Sequence, residues 1–346
     1  MGMTMLPPTR RQVLVAAAGA CAAISLSCKD SSSTGSGKDV VLYTSIDEPV
    51  VKPIVEAFEK KTGIKVRLKT DTEASKTSGL VALLRAEKAN PQSDVFWNNE
   101  PFHTINLAEE GVLTAYDSPA AKDILPQYKD AKGRWASSGL RFRMIAFAPS
   151  VTGVTKIEDL VADPNRFGKG KICMGFPALG TIAGHLAALR LLWGAEKYEK
   201  FLKALDTAEV KLLGGNSEVV KQIALGNTLV GLTDNDDLQA ITRELGPGKV
   251  MGISARTAEG GALAMPSTLG LVTGAKHDAD AKKLIDYLLT PEVEQQLISA
   301  HYAARIVRLE PTTRPPEPVM QIDYEEAAKG MKEAVDKARE ILEGKK

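Results

Sequence analysis

Three carboxylates fall within four positions at Asp234, Asp236 and Asp237. Clustered carboxylates are hard oxygen donors that suit Mg, Ca or Mn, and they equally suit a cationic organic group. The spacing is not that of an EF-hand loop, because Leu238 takes a ligand position and no glycine follows. A solvated acidic surface loop is the alternative for the same residues. A second feature is the turn Gly175-Phe176-Pro177-Ala178-Leu179-Gly180-Thr181. It has the outer glycine spacing of a nucleotide-binding loop but lacks the lysine that must follow the second glycine, which argues against a nucleotide. What remains is a glycine turn feeding a helix start, where free N–H groups and the helix dipole attract anions. A plain helix cap is the alternative. Arg141 and Arg143 alternate along one stretch and so face the same side of a strand. Either could hold an anion with its planar fork or form a salt bridge between domains.

Catalytic constellations are missing. There is no Gly-x-Ser-x-Gly elbow, no His-Glu-x-x-His, and no cysteine paired by motif with a histidine. His103, His185 and His301 have no second histidine at metal-ligand spacing, so a structural role is expected for each. Cys173 is the one cysteine beyond the N-terminal region, which excludes an intrachain disulfide or a cysteine-based zinc site there. The chain is expected not to be an enzyme.

These residues must be positioned by alternating strands and helices. Val40–Tyr43 reads as a strand, and Val51, Ile54, Val55 and Phe58 then recur at helical spacing before Gly63. Ile64–Leu68 returns as a strand, completing a βαβ unit and implying a mainly parallel sheet covered on both faces. Val95–Trp97, Leu140–Phe147, Lys171–Met174, Leu229–Thr233 and Leu269–Val272 read as further strands, with helices between them. Polar residues gather at strand ends: Thr44, Ser45 and Asp47, then Asn98, Asn99 and Glu100, then Asp234 to Asp237. In open α/β sheets ligands sit beyond the carboxyl ends of strands. Turn chemistry favours the same residue types.

The chain has 346 residues, enough for about two domains, with 44% apolar and 25% charged residues. A net charge of +1 argues against a nucleic-acid partner, which usually demands a basic face. At the N-terminus, Arg10 and Arg11 precede an apolar run from Val13 to Ile24. That run is shorter than the ~20 residues of a membrane-spanning helix and reads as the core of an export signal over residues 1–27. The arginine pair resembles a twin-arginine signal, with Val13 where that motif prefers phenylalanine. Ser25-Leu26-Ser27-Cys28 resembles a lipobox with its leucine one position late. The expectation is export by the Sec or twin-arginine route, lipidation at Cys28, and a Ser/Gly-rich tether over 28–38.

Several segments together resemble the periplasmic ferric-iron-binding proteins, a branch of the type II solute-binding proteins of ABC importers. These are VVLYTSIDEPVVKPIVEAFEKKTGIKV from Val40, SDVFWNNE from Ser93, GLRFRMIAFAP from Gly139, and AMPSTLGLVTGAKHDADAKKLIDYLLTPEVEQQL from Ala264. The resemblance implies an α/β fold of two lobes, each a mixed, mostly parallel sheet flanked by helices, with the ligand cleft between them. Lobe 1 would comprise 39–138 and 265–305, and lobe 2 would comprise 139–264 and 306–346. It further implies a monomeric capture protein that delivers its ligand to a membrane permease. The implied ligand contacts are Tyr43, Thr44, Ser45, Asn98, Asn99, Arg141, Gly180, Thr181 and Asn216. From the chemistry of the residues themselves, the expected metal ligands are Glu100, Asp234, Asp236 and Asp237. The cargo would be Fe3+ or a divalent cation, with or without a small anion. The chain departs from the pattern at one place: paired tyrosines that hold iron in the family are replaced by Asp236 and Asp237. A small organic solute, cationic or anionic, is therefore the alternative cargo.

Overall fold

The computed structural model describes residues 39–71, 77–163, 165–308 and 318–344. The segments read as an export signal and a tether, with Cys28 between them, and most of the Pro-rich stretch from Pro311 to Pro318 lie outside the described residues. Among the described residues, no helix is long and apolar enough to cross a membrane.

The first strand, β1 (Val40–Thr44), is buried throughout, as expected of a strand covered on both faces. It pairs in parallel with β2 (Val66–Thr70) and β3 (Val95–Asn98). Between β1 and β2 runs α1 (Glu48–Thr62), with Val51, Ile54, Val55 and Phe58 buried as their spacing predicts. α2 (Ser78–Ala86) precedes β3, and α3 (Pro101–Glu109), of equal length, follows it. A two-residue β4 (Leu113–Thr114) leads to the long strand β5 (Ala136–Phe147).

β5 is shared by the two lobes. Its first half pairs antiparallel with β10 (Ala264–Val272), which in turn pairs with β3. Its second half, from Arg143 onward, pairs antiparallel with β8 (Val230–Asp234) and β9 (Met251–Ser254). β6 (Ile172–Gly175) and β7 (Lys211–Leu213) complete the second lobe in parallel with β8. The sheet therefore runs β2-β1-β3-β10-β5-β8-β6-β7. Its parallel outer parts flank an antiparallel crossing, the arrangement of the two-lobed type II fold.

Helices cover the second lobe: α4 (Gly180–Thr207), α5 (Asn216–Ala224) and α6 (Asn235–Leu245). α4 spans what the sequence suggests as two helices; they meet at Gly194, whose φ of 73° only glycine adopts readily. In the first lobe, α7 (Asp278–Leu288) and α8 (Pro291–Ser299) follow β10. The last helix, α9 (Tyr324–Leu342), packs along α4 and also touches α3.

The solvated-loop alternative is excluded. Asp236 and Asp237 do not sit on a loop: α6 begins at Asn235, and both aspartates are buried in its first turn. Acidic residues favour that position beside the helix dipole. Asn216 is the first residue of α5, and its side chain bonds Thr181 and Asp234.

Candidate functional site

The carboxyl ends of β6 and β8, the crossing strand β5 and the loop after β3 converge on one cavity. The cavity is partly open to solvent and its volume is about 30 Å³, so with the lobes in this position it admits only a small group. Two helix starts open onto it: Gly180 and Thr181 of α4, and Gly215 and Asn216 at the start of α5. Neither start has a side-chain cap. The first N–H groups of a helix have no intrahelical partner, so an uncapped start attracts an acceptor. At Gly180 the φ of 32° is poorly tolerated by residues with a side chain, which explains a glycine there.

Asp234, at the end of β8, is fully buried at the floor. Its Oδ1 accepts from Arg143 Nη1 at 2.6 Å. Its Oδ2 accepts from Arg141 Nη2 at 2.9 Å, Thr181 Oγ1 at 2.7 Å and Asn216 Nδ2 at 2.8 Å. Burial alone would raise its pKa, but the two guanidinium groups outweigh burial and hold it below the usual aspartate value. Asp236 accepts from the same Arg141 Nη2 at 2.7 Å and 2.8 Å. Here burial and the neighbouring Asp234 charge prevail over Arg141, and the pKa is raised. Asp237 lines the cavity and accepts from Ser217 Oγ.

Arg141 spans the lobes. Its Nη1 donates to the Asn99 carbonyl at 3.1 Å, while Nη2 holds the second-lobe aspartates. Its guanidinium carbon lies 5.0 Å from the ring centre of buried Tyr302, and its Nε has no hydrogen-bond partner. Arg143 Nε donates to His185 Nδ1 at 3.1 Å, so the imidazole is neutral with its proton on Nε2. Burial first, and then Arg143, push the His185 pKa well below its ordinary value.

Of the residues singled out in the sequence, Asn99, Arg141, Gly180, Thr181, Asn216, Asp234 and Asp237 meet at this cavity. Asp236 joins them through Arg141. The remaining ones act behind the cavity. Ser45 Oγ donates to Asn98 Oδ1 at 2.6 Å and accepts from the Asn99 N–H, which fixes the loop after β3. Thr44 Oγ1 accepts from the Ile46 N–H. Tyr43 donates to Glu87 and does not line the cavity. Glu100, expected beside the aspartates as a metal ligand, instead caps α3: its carboxylate accepts from the Phe102 N–H at 2.7 Å and lies 3.0 Å from His103 Nδ1. Among the described residues, only Asp234, Asp236 and Asp237 group their ligand atoms, all within 4.8 Å of one another. The sequence reading missed Leu179, Ile182 and the pair Gly214-Gly215 as lining residues. A glycine pair directly before Asn216 was the available signal for a close approach.

Comparison with known proteins places this geometry in context. The family described as bacterial extracellular solute-binding protein matches residues 43–295. The Fe(3+)-binding periplasmic protein of Serratia marcescens is 25% identical over 194 residues, 56% of each chain. The chain thus spans about half the length of that relative. A putative 2-aminoethylphosphonate-binding periplasmic protein of Salmonella paratyphi A is 28% identical over 251 residues, 70% of this chain and 69% of the relative. In structure, the ferric binding protein of Campylobacter jejuni superposes with a TM-score of 0.77 and 20% identity, covering 88% of this chain and 99% of that one.

Proposed function

The chain belongs to the bacterial extracellular solute-binding proteins, and on that premise we propose that it captures a compact solute with an anionic head group for delivery to the permease of an ABC importer. One observation carries this reading: two uncapped helix starts meet over a carboxylate, Asp234, whose oxygens already accept from two arginines, Thr181 and Asn216. The anion would dock on the N–H groups of the two starts, in the manner of phosphate at helix N-termini. Asp237, on the cavity wall, favours a cationic portion elsewhere on the same solute. A phosphonate bearing an amine has both parts, and relatives of this chain are named for 2-aminoethylphosphonate.

A second reading is favoured by the three clustered carboxylates: a hard cation such as Fe3+ carried together with a small anion. Relatives named for ferric iron support it. It would set the cation beside the Arg141 guanidinium, which already donates to both Asp236 oxygens and would repel it. Among the described residues no tyrosine lines the cavity, so a ferric form held by them would lack the strong colour of iron bound to tyrosinate.

Calorimetric titration with 2-aminoethylphosphonate, inorganic phosphate, ferric citrate and Mn separates the two. Binding of the phosphonate without metal supports the first reading. Binding of metal alone, abolished by Asp236→Ala with Asp237→Ala, supports the second and sinks the first. Export with a lipid anchor on Cys28 completes the proposal; a membrane fraction without acylated chain starting at Cys28 would refute that part.

A further inference from the structure

Gly184 lies inside α4, one turn past Gly180 and Thr181, and it is fully buried. Its backbone is not in the left-handed region that calls for glycine. Glycine in a helix interior is unfavourable relative to alanine, so its presence needs a packing reason. The reason is on the other lobe. A Cβ built at Gly184 would lie 2.2 Å from Cδ2 and 2.5 Å from Cε2 of Phe102, both far inside contact distance. Phe102 is the second residue of α3, fully buried, and its N–H is held by the capping carboxylate of Glu100. On its other side the ring packs against Tyr324 of α9 at 5.7 Å between centres. Tyr324 is itself fixed by a 3.0 Å hydrogen bond to the Ala264 carbonyl at the lobe crossing. Phe102 is therefore fully buried between Tyr324 and the α4 backbone, and a group added at 184 would have to displace its ring.

Neither partner lines the ligand cavity, but both are close in sequence to residues that do. Phe102 is three residues from Asn99, and Gly184 is three from Thr181, and both Asn99 and Thr181 line it. The separation of α3 from α4 at this notch fixes how far apart the loop after β3 and the start of α4 come to rest.

We propose that Gly184 is a specificity-determining residue of the cleft: by seating the Phe102 ring directly on the α4 backbone, it sets the closed spacing of the lobes and so the size of solute they can enclose. The proposal rests on the cleft being the capture site, as above, but not on which solute occupies it. A methyl at 184 would hold the lobes apart and turn a site for compact solutes into one that no longer closes on them. Shortening residue 102 would relieve the clash and let the lobes meet again.

The test compares the parent protein, Gly184→Ala, and Gly184→Ala with Phe102→Leu, each confirmed folded by circular dichroism. Titration uses 2-aminoethylphosphonate and, separately, ferric citrate; small-angle scattering reads the radius of gyration. The expected result is affinity at least about tenfold weaker and a larger radius in Gly184→Ala, with both restored in the double variant. Unchanged affinity and radius in Gly184→Ala would overturn the proposal, as would a loss that Phe102→Leu fails to rescue. If the parent binds neither probe, the cargo assignment fails, and scattering alone decides. Expansion in Gly184→Ala reversed in the double variant then supports the notch, and no expansion refutes it.

Discussion

At the scale of residues, the site is a set of buried charges that must be kept paired. Asp234 is joined to Arg141 and Arg143, and neither arginine is exposed. Asp234→Ala leaves both guanidinium groups short of a partner, and removing one member of a buried pair costs about 3–5 kcal/mol. Urea unfolding should show that loss; a cost below about 1 kcal/mol would mean that water replaces the carboxylate. His185 adds a pH dependence. Its native pKa lies well below the ordinary 6.5, so the unfolded chain takes up a proton that the native state refuses. The stability this group contributes is complete above that ordinary value and is lost as pH falls toward the native pKa, by up to about 1.4 kcal/mol per pH unit. The melting temperature should therefore drop between about pH 6.5 and pH 5, and His185→Gln should flatten the drop. Equal slopes in both proteins would assign the effect to other groups. The aspartates themselves are plain in the sequence, yet their pairing is not. Arg141 and Asp234 are 93 residues apart, and nothing local at Asp234 distinguishes a solvated turn from a buried carboxylate facing two arginines.

Among the elements, those with strong periodicity were legible. The apolar run of β1 and the i, i+3, i+4, i+7 pattern of α1 fall where the spacing puts them. The weaker ones were hidden for identifiable reasons. β5 starts at Ala136 rather than Leu140, because Ala136-Ser137-Ser138-Gly139 carries no hydrophobic alternation and is held as strand by its pairing with β10. α6 was obscured because its first turn is all polar, Asn235-Asp236-Asp237. One junction between elements depends on a single side chain. Glu294 of α8, fully buried, accepts from the Gly139 N–H at 3.0 Å and the Val307 N–H at 2.9 Å, and pairs with Arg308. It ties the entry of β5 to the segment that leaves the first lobe. Glu294→Ala should cost about 3–5 kcal/mol, read by urea unfolding, because two backbone donors and one guanidinium lose their acceptor together. A smaller loss with intact binding would show that the junction closes without it. Gly231 in β8 sets a similar limit, since a Cβ there would lie 2.5 Å from the Cys173 carbonyl oxygen of β6. Gly231→Ala should lower stability by about 1–3 kcal/mol through overpacking.

For the whole molecule, the two-lobed plan was readable because strand and helix order matched a known arrangement along nearly its full length; the depth of the cleft was not. Closure depends on contacts such as Phe102 with Gly184, which are 82 residues apart and leave no periodic trace. If the lobes close on solute by hinge motion, scattering should record a smaller radius of gyration at saturation, and stability should rise by about 2.7 kcal/mol at a hundredfold excess over Kd, read as a higher melting temperature. A radius that does not change would point to a permanently closed vessel. The topology also carries a consequence in time. β10, which borders β3 in the first lobe, arrives in the chain only at residue 264, whereas β5 to β9 form a contiguous stretch. A chain emerging N-terminus first therefore presents β1, β2 and β3 with one edge of β3 unpaired until most of the protein has followed. Such an edge invites pairing with other chains, and long-range pairing is slow. The second lobe, later in the sequence, has all its own strands first. It should gain protection in pulsed hydrogen exchange before the first lobe does, so the part of the protein that is made first is the part that finishes last.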